Sequence, residues 1–179
     1  MRRTHLATER LVLREWTRSD ADQAFLFDMY RRPEVRQYLG NGQVMGDPGE
    51  VEPLLDRWMG SADGILGVRA VETRDGRRLG SVLLKRIPWS KTVSDGRPED
   101  IEIGWHFHPD AWGSGYATEA ATAVLAVARD GGISRVVAVT NPANSASGAV
   151  AERIGLRAVG ETDDYYDTTC ALYVGEAGA

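Results

Sequence analysis

The stretch WGSGYATEAATAVLAVARDGG, Trp112 to Gly132, sets two glycines one residue apart, directly before a long apolar-periodic segment. Small residues at Gly113, Ser114, Gly115 and Ala117 let backbone N–H groups approach an anion without interference from a Cβ. A helix behind them adds unpaired N–H groups and the positive end of its dipole. Together these would cradle a pyrophosphate. A tight turn whose glycines only supply unusual dihedrals accounts for the same residues, and the loop alone does not choose. It is not a Walker A loop, because no Gly-Lys-Ser/Thr follows, and it is not the G-x-G-x-x-G of a dinucleotide fold.

Other groups with chemical potential lie on either side. HFHPD sets His106 and His108 on one face of a strand, close to Asp110, with the spacing of a metal pair. No third strong ligand cluster accompanies them, so packing is the expectation and no metal is assigned. Glu99, Asp100 and Glu102 crowd the head of the same strand, and only side chains facing a cleft can act. In NPANSAS, Asn144 is a favoured helix N-cap. ETDDYYD brings Glu161, Asp163, Asp164 and Asp167 beside two tyrosines. It reads as a solvated loop or as an acidic rim attracting an ammonium group. The tryptophans read as core and cleft wall, with Trp89 in its loop nearest a substrate. Cys170 reads as a packed thiol.

These groups must be positioned by the elements around them. RLVLREW, Arg10–Trp16, alternates as a strand. Thr17-Arg18-Ser19-Asp20 fits a capping box with a helix following through Asp28. RRPEVRQYL is a break and a short helical piece, and NGQVMGDPG is a loop. Glu50–Met59 has helical spacing. GILGVRAVET and LGSVLLKRI form a hairpin with Asp75-Gly76 at its tip. PWSKTVSDGRPED is a polar loop, and IEIGWHFHP is a strand. Gly115–Arg129 is a helix with a small apolar face. SRVVAVT is an apolar strand of the kind buried on both faces. Asn144–Ile154 is a helix, and LRAVGE and CALYVG are final strands. The pattern is α+β or mixed α/β, antiparallel first and then β-α-β-α-β, with residues 1–179 forming a single domain.

The chain has 179 residues, 42% of them apolar and 26% charged, with a net charge of -5. That is ordinary for one soluble domain with a sizeable core. No apolar run is long enough for a membrane span. MRRTHLATERLVLREW lacks the apolar core of a signal peptide. One cysteine excludes an internal disulfide and fits a reducing cytoplasm, the expected location. The acidic balance argues against a duplex nucleic-acid binder.

The stretch EIGWHFHPDAWGSGYATEAATAVLAVA resembles the pyrophosphate-binding segment of the GCN5-related N-acetyltransferases (GNAT). TERLVLREWTRSDADQAFLF, RPEVRQYL, RRLGSVLL and NPANSASGAVAERIGL are similar, in that order, to the RimJ/RimL branch, where tryptophan commonly stands as Trp112 does here. The resemblance runs from Thr8 to about Val174. It implies a mostly antiparallel sheet with helices on both faces and two parallel strands, Ile101–His108 and Ser134–Thr140, splayed into a V. It implies acetyl-CoA as cosubstrate. Backbone groups of Trp105, His106 and Phe107 would pair with its pantetheine, an N–H there would meet the acetyl oxygen, and Asn144 would hydrogen-bond the pantetheine. Its pyrophosphate would sit on Trp112, Gly113, Ser114, Gly115, Tyr116, Ala117 and Thr118. Glu102 stands where many members carry the general base, and Ser147 where this branch is proposed to protonate the thiolate. Many members place a tyrosine acid at the position of Ala151, which excludes it here. Tyr116, Tyr165 and Tyr166 are alternative donors.

The implied reaction is direct acetyl transfer to a primary amine. An α-amine, with a pKa of about 7.7–8.0, is neutral in roughly a seventh of copies at pH 7. A lysine ε-amine, at about 10.4, is neutral in about 0.04%. The gap, about 3.5 kcal/mol, favours a protein or peptide α-amine. Aminoglycoside or polyamine acetylation, a longer acyl-CoA and a non-catalytic CoA-binding module are the alternatives. Monomer and homodimer are both compatible. The acceptor would be chosen by Gly40–Gly49, Trp89–Asp100 and Glu161–Asp167.

Overall fold

In the computed structural model the structure describes residues 5–93, 96 and 98–176. The reading of the first four residues, and Ser94, Asp95 and Arg97 of the Trp89–Asp100 segment, lie outside them.

The described strands are β1 (His5–Ala7), β2 (Leu11–Glu15), β3 (Gly67–Thr73), β4 (Arg78–Ile87), β5 (Asp100–Phe107), β6 (Arg135–Thr140), β7 (Arg157–Thr162) and β8 (Cys170–Glu176). They form one sheet in the order β1-β2-β3-β4-β5-β6-β8-β7. Every neighbouring pair is antiparallel except β5 and β6. The helices are α1 (Asp20–Tyr30), α2 (Pro33–Arg36), α3 (Val51–Gly60), α4 (Tyr116–Asp130) and α5 (Ser145–Arg153). The mixed α/β architecture expected from the sequence is the one observed. β1, too short to show a period, is an addition to it.

Two apolar layers cover the sheet. On one face α1 and α3 bury Trp16, Leu26, Met29, Leu55, Val68 and Leu83. On the other, Ala120, Ala121, Val124 and Ala128 of α4 and Ala151 of α5 meet Leu13, Val82, Ile103, Phe107 and Val136. Alanines along α4 let the helix lie close to the strands. In α5 the same logic reaches its limit at Gly148, where a Cβ would stand 2.3 Å from the Tyr173 hydroxyl of β8.

Local signals differ in one detail. Ser19 caps α1, its side chain accepting from the Asp22 N–H. Thr17, expected in that role, instead donates its hydroxyl to the buried Asp22 carboxylate at 2.8 Å. A buried charge needs hydrogen bonds more than a helix start does, and the cap shifts by two residues.

Candidate active site

The parallel pair is brief. Ile101 pairs with Val136 and Glu102 with Val137, and there the pairing ends. Both strands continue, β5 to Phe107 and β6 to Thr140, with β5 still bound to β4 on its other side. Past Glu102 the facing edges therefore separate, and Gly104–Phe107 have no strand on that side among the described residues. This is the V, joined at its base by two residue pairs.

Two cavities meet at the V. One, of about 490 Å³, is lined by Lys85, Glu102, Gly104, Arg36, Tyr166 and Thr168, among others. The second, of about 800 Å³, runs along Phe107, Ala111, Trp112, Gly113 and Gly115–Glu119 to Ala146 and Val150 of α5. Tyr38, Leu39, Trp105, His106, Asn144 and Ser147 belong to both walls.

The loop beneath the larger cavity is built by backbone conformation. Gly113 and Gly115 have φ of 73° and 78°, the left-handed region that disfavours a Cβ. The turn explanation of the glycines is thus correct, and it leaves the space above Gly113 open, with nothing within 4 Å of where a Cβ would stand. The first intrahelical bond of α4 comes from the Glu119 N–H to the Gly115 carbonyl, at 3.0 Å. The amides before it are those a helix leaves unpaired. Arg10 fixes the loop: its Nε–H meets Glu119 Oε2 at 2.7 Å, its Nη1 donates to the Ser114 carbonyl at 3.0 Å, and it lies over the Tyr116 ring. Trp112 is half exposed, and its Nε1–H donates to the Phe107 carbonyl at 2.9 Å. That indole occupies one of the β5 carbonyls expected to receive a ligand. A free strand edge, an open glycine turn and a helix start in one trough suit a long ligand ending in a pyrophosphate.

Glu102 is 7% exposed and faces the smaller cavity. The Tyr166 hydroxyl donates to its Oε2 at 2.5 Å, and Lys85, opposite it on β4, places Nζ 3.4 Å from the same oxygen. Lys85 also donates to the Tyr166 oxygen at 2.8 Å. Burial pushes the Glu102 carboxyl up, and Lys85 and the Tyr166 hydrogen bond only partly counter it. Tyr166 is pushed up by its own burial and by the neighbouring carboxylate, so it stays a phenol. Tyr166 and Asp167 have φ of 60° and 54° without being glycine. Such backbone costs about 1–2 kcal/mol per residue and persists where its surroundings over-determine it.

The other carboxylates are engaged elsewhere. Asp100 is ion-paired with Arg135 and accepts from Tyr165 at 2.6 Å, away from the cavity. Asp167 accepts from the Lys91 N–H and Asp163 from Thr169. The loop reaches this cavity through Tyr166, while its acidic side chains do not line it. Trp89 stacks on Tyr165 at 4.9 Å and does not line it. His106 bonds Tyr30 at 2.8 Å, and its pKa is pushed down to about 4 by burial, then by Lys85 and Arg36. His108 is held by Asp28 at 3.0 Å. The two imidazoles have separate partners rather than a common centre.

Asn144 caps α5, its side chain accepting from the Ser147 N–H at 3.2 Å. The cap fixes Ser147 at the junction of the cavities. Of the alternative donors, Tyr116 lies under Arg10, Tyr165 is buried against Asp100, and Tyr166 reaches the smaller cavity. Sequence reasoning missed Lys85 and Arg36. Lys85 sits opposite Glu102 only through the register of β4 on β5, across a long loop with no periodic signal.

Residues 10–157 match the model of the acetyltransferase (GNAT) domain. The Bacillus subtilis protein YkkB, itself uncharacterized, is 32% identical over 161 residues, 86% of each chain. A GNAT-family acetyltransferase from Bacillus anthracis superposes with a TM-score of 0.77, covering 98% of this chain and 99% of that one at 20% identity. RimL, a ribosomal L7/L12 alpha-N-protein acetyltransferase in complex with coenzyme A, superposes at 0.75 over 96% of both chains at 17% identity. Two further structures of the fold hold an aminoglycoside and spermine beside coenzyme A, so the fold leaves the acceptor open. With the domain match spanning most of its length, the chain belongs to the GNAT acetyltransferase family, enzymes that draw on acetyl-CoA.

Proposed function

We propose that this chain acetylates a primary amine by direct transfer within a ternary complex, with a peptide or protein α-amine as the preferred acceptor. The observation that carries the reading is the fork of β5 and β6, with the buried carboxylate of Glu102 on one side and the glycine loop on the other. Acetyl-CoA supplies the activated acetyl group. The chain's residues do the rest. The Trp112–Thr118 loop and the first amides of α4 hold the pyrophosphate, and the edge of β5 at Trp105 with Asn144 aligns the pantetheine. Glu102, its affinity for a proton raised by burial, takes the ammonium proton. The nitrogen forms the C–N bond as the C–S bond breaks, and its second proton passes through the Ser147 hydroxyl to the leaving sulfur. An α-amine needs far less help with deprotonation than a lysine side chain, which suits one carboxylate already paired with Lys85. RimL's acceptor, as its name gives it, is of the same kind.

Release of free CoA thiol with alanine- and serine-starting peptides, internal-lysine peptides, aminoglycosides and polyamines tests the reading. Turnover with α-amine peptides is expected. Ser147→Ala should lower kcat roughly tenfold to a hundredfold with little change in acceptor KM. An unchanged kcat would move the acid role to Tyr166. The loop has its own test. Gly113→Ala puts a Cβ into open space and forces a left-handed alanine. It should weaken CoA binding roughly tenfold or more by calorimetry, through lost charged hydrogen bonds. Affinity for pantetheine, which lacks the pyrophosphate, should hold, and an equal loss for both ligands would refute the cradle.

A further inference from the structure

The walls of the smaller cavity are unusual for an enzyme that captures amines. Among the described residues its charged side chains are Arg36, Lys85 and Glu102. Lys85 and Glu102 lie 3.4 Å apart and offset one another. Arg36, from the last turn of α2, is left over. Its Nε donates to the Gln43 carbonyl at 2.5 Å and its guanidinium lies 6.0 Å from the Tyr30 ring. No carboxylate pairs with it among the described residues, as is true of seven other described arginines, and of these Arg36 is the one that lines this cavity. Arg36 lines this cavity and not the one over the glycine loop. The basicity of His106, on the same face of β5, is lowered first by its burial, and Lys85 and Arg36 add to that.

A polycation entering here would meet an unpaired guanidinium and an ammonium against one buried carboxylate. An amine carrying its own anion would meet a complementary arrangement. From this geometry we infer that the acceptor bears a carboxylate a few bonds from its reactive amine, with Arg36 reading that carboxylate while Glu102 receives the amine. Guanidinium recognises carboxylate through paired N–H donors, which adds direction to charge. Arg36 is a specificity residue rather than part of the transfer step. The inference rests on the acetyl-transfer reading and narrows its acceptor to an acidic peptide start or a free amino acid.

Matched acceptors separate charge from everything else: peptides beginning Ala-Asp and Ala-Asn, Ser-Glu and Ser-Gln, a free α-amino acid and its amide, and spermidine. In the wild-type protein the carboxylate member of each productive pair should show a kcat/KM higher by roughly tenfold or more. Arg36→Gln should shrink that ratio to about twofold while leaving the acetyl-CoA KM unchanged, and Arg36→Lys should restore part of it. Comparing the peptide pairs with the free amino acid identifies which source of carboxylate the cavity accepts. A ratio near one, a preference for spermidine, or a ratio that survives Arg36→Gln would overturn the inference. If no amine turns over, the transfer reading fails on its own. The inference is then decided by thermal shift with CoA present, where carboxylate members must stabilise the wild-type protein, but not Arg36→Gln, more than their amides.

Discussion

Glu102→Gln is expected to lower kcat by roughly a hundredfold or more while leaving the affinity for acetyl-CoA unchanged. The substitution keeps the shape and a hydrogen-bond acceptor for Tyr166 but removes the group that can take a proton. Folding should survive it. The carboxyl's pKa is raised by burial, so the stability this group contributes is present below its unfolded pKa and lost as pH rises through the folded one. At neutral pH the ionised form is the costly one, and a neutral amide relieves that cost. Lys85 retains the Tyr166 oxygen at 2.8 Å. The pH profile gives a sharper readout than the rate. A base must be deprotonated, so kcat/KM should fall on the acid side as Glu102 protonates, at a pH above the usual carboxylate range. In Glu102→Gln that limb should vanish, leaving only the acceptor's own titration near about 7.7–8.0. An acid limb that persists in the variant would assign the proton transfer to another group. Unchanged kcat would remove Glu102 from the chemistry altogether.

How much of this site was readable beforehand depends on what kind of information placed each residue. The glycine loop and the Asn144 cap are local, since both follow from dihedral needs and unpaired amides within a few residues, and both were legible. The fork at Glu102 is not local. Sequence shows that two apolar strands exist, but where their pairing stops depends on twist and on the helices packed above. Lys85 and Arg36 are further from view. One meets Glu102 by cross-strand register, and the other reaches the cavity from a four-residue helix, expected as a short helical piece but with nothing local to say where its last side chain goes. Tyr166 was visible as a possible donor, but not as a residue in left-handed backbone, because that conformation is ordinarily read from glycine or asparagine. The acidic run around it drew attention to charge, whereas its folded role is to deliver a phenol to a carboxylate.

A different carboxylate should matter most for stability. Asp22, in the first turn of α1, is fully buried. It receives both terminal nitrogens of Arg14 at 2.8 Å, Nε of Arg78 at 2.6 Å, and the Thr17 N–H and hydroxyl at 2.9 and 2.8 Å. Burial alone would raise its pKa, but these five hydrogen bonds outweigh it and hold the carboxyl well below the usual range. Asp22→Asn keeps the volume and removes the charge, leaving, among the described residues, Arg14 with Glu72 alone and Arg78 with no carboxylate partner. Breaking a buried pair costs about 3–5 kcal/mol. Arg14 and Arg78 are 15% and 26% exposed and recover some hydration, so the low end, about 3 kcal/mol, is expected. For a chain of this size that lowers Tm by about 6–12 °C. The sign with pH follows from the lowered pKa. The contribution is present above the unfolded value near 4 and is lost as pH falls through the folded one. Urea midpoints for the wild type and Asp22→Asn should therefore differ by a constant amount from about pH 5 to pH 8 and converge in stronger acid. A pair of curves that stay parallel below pH 4 would show that the aspartate acts through shape, with its charge contributing nothing.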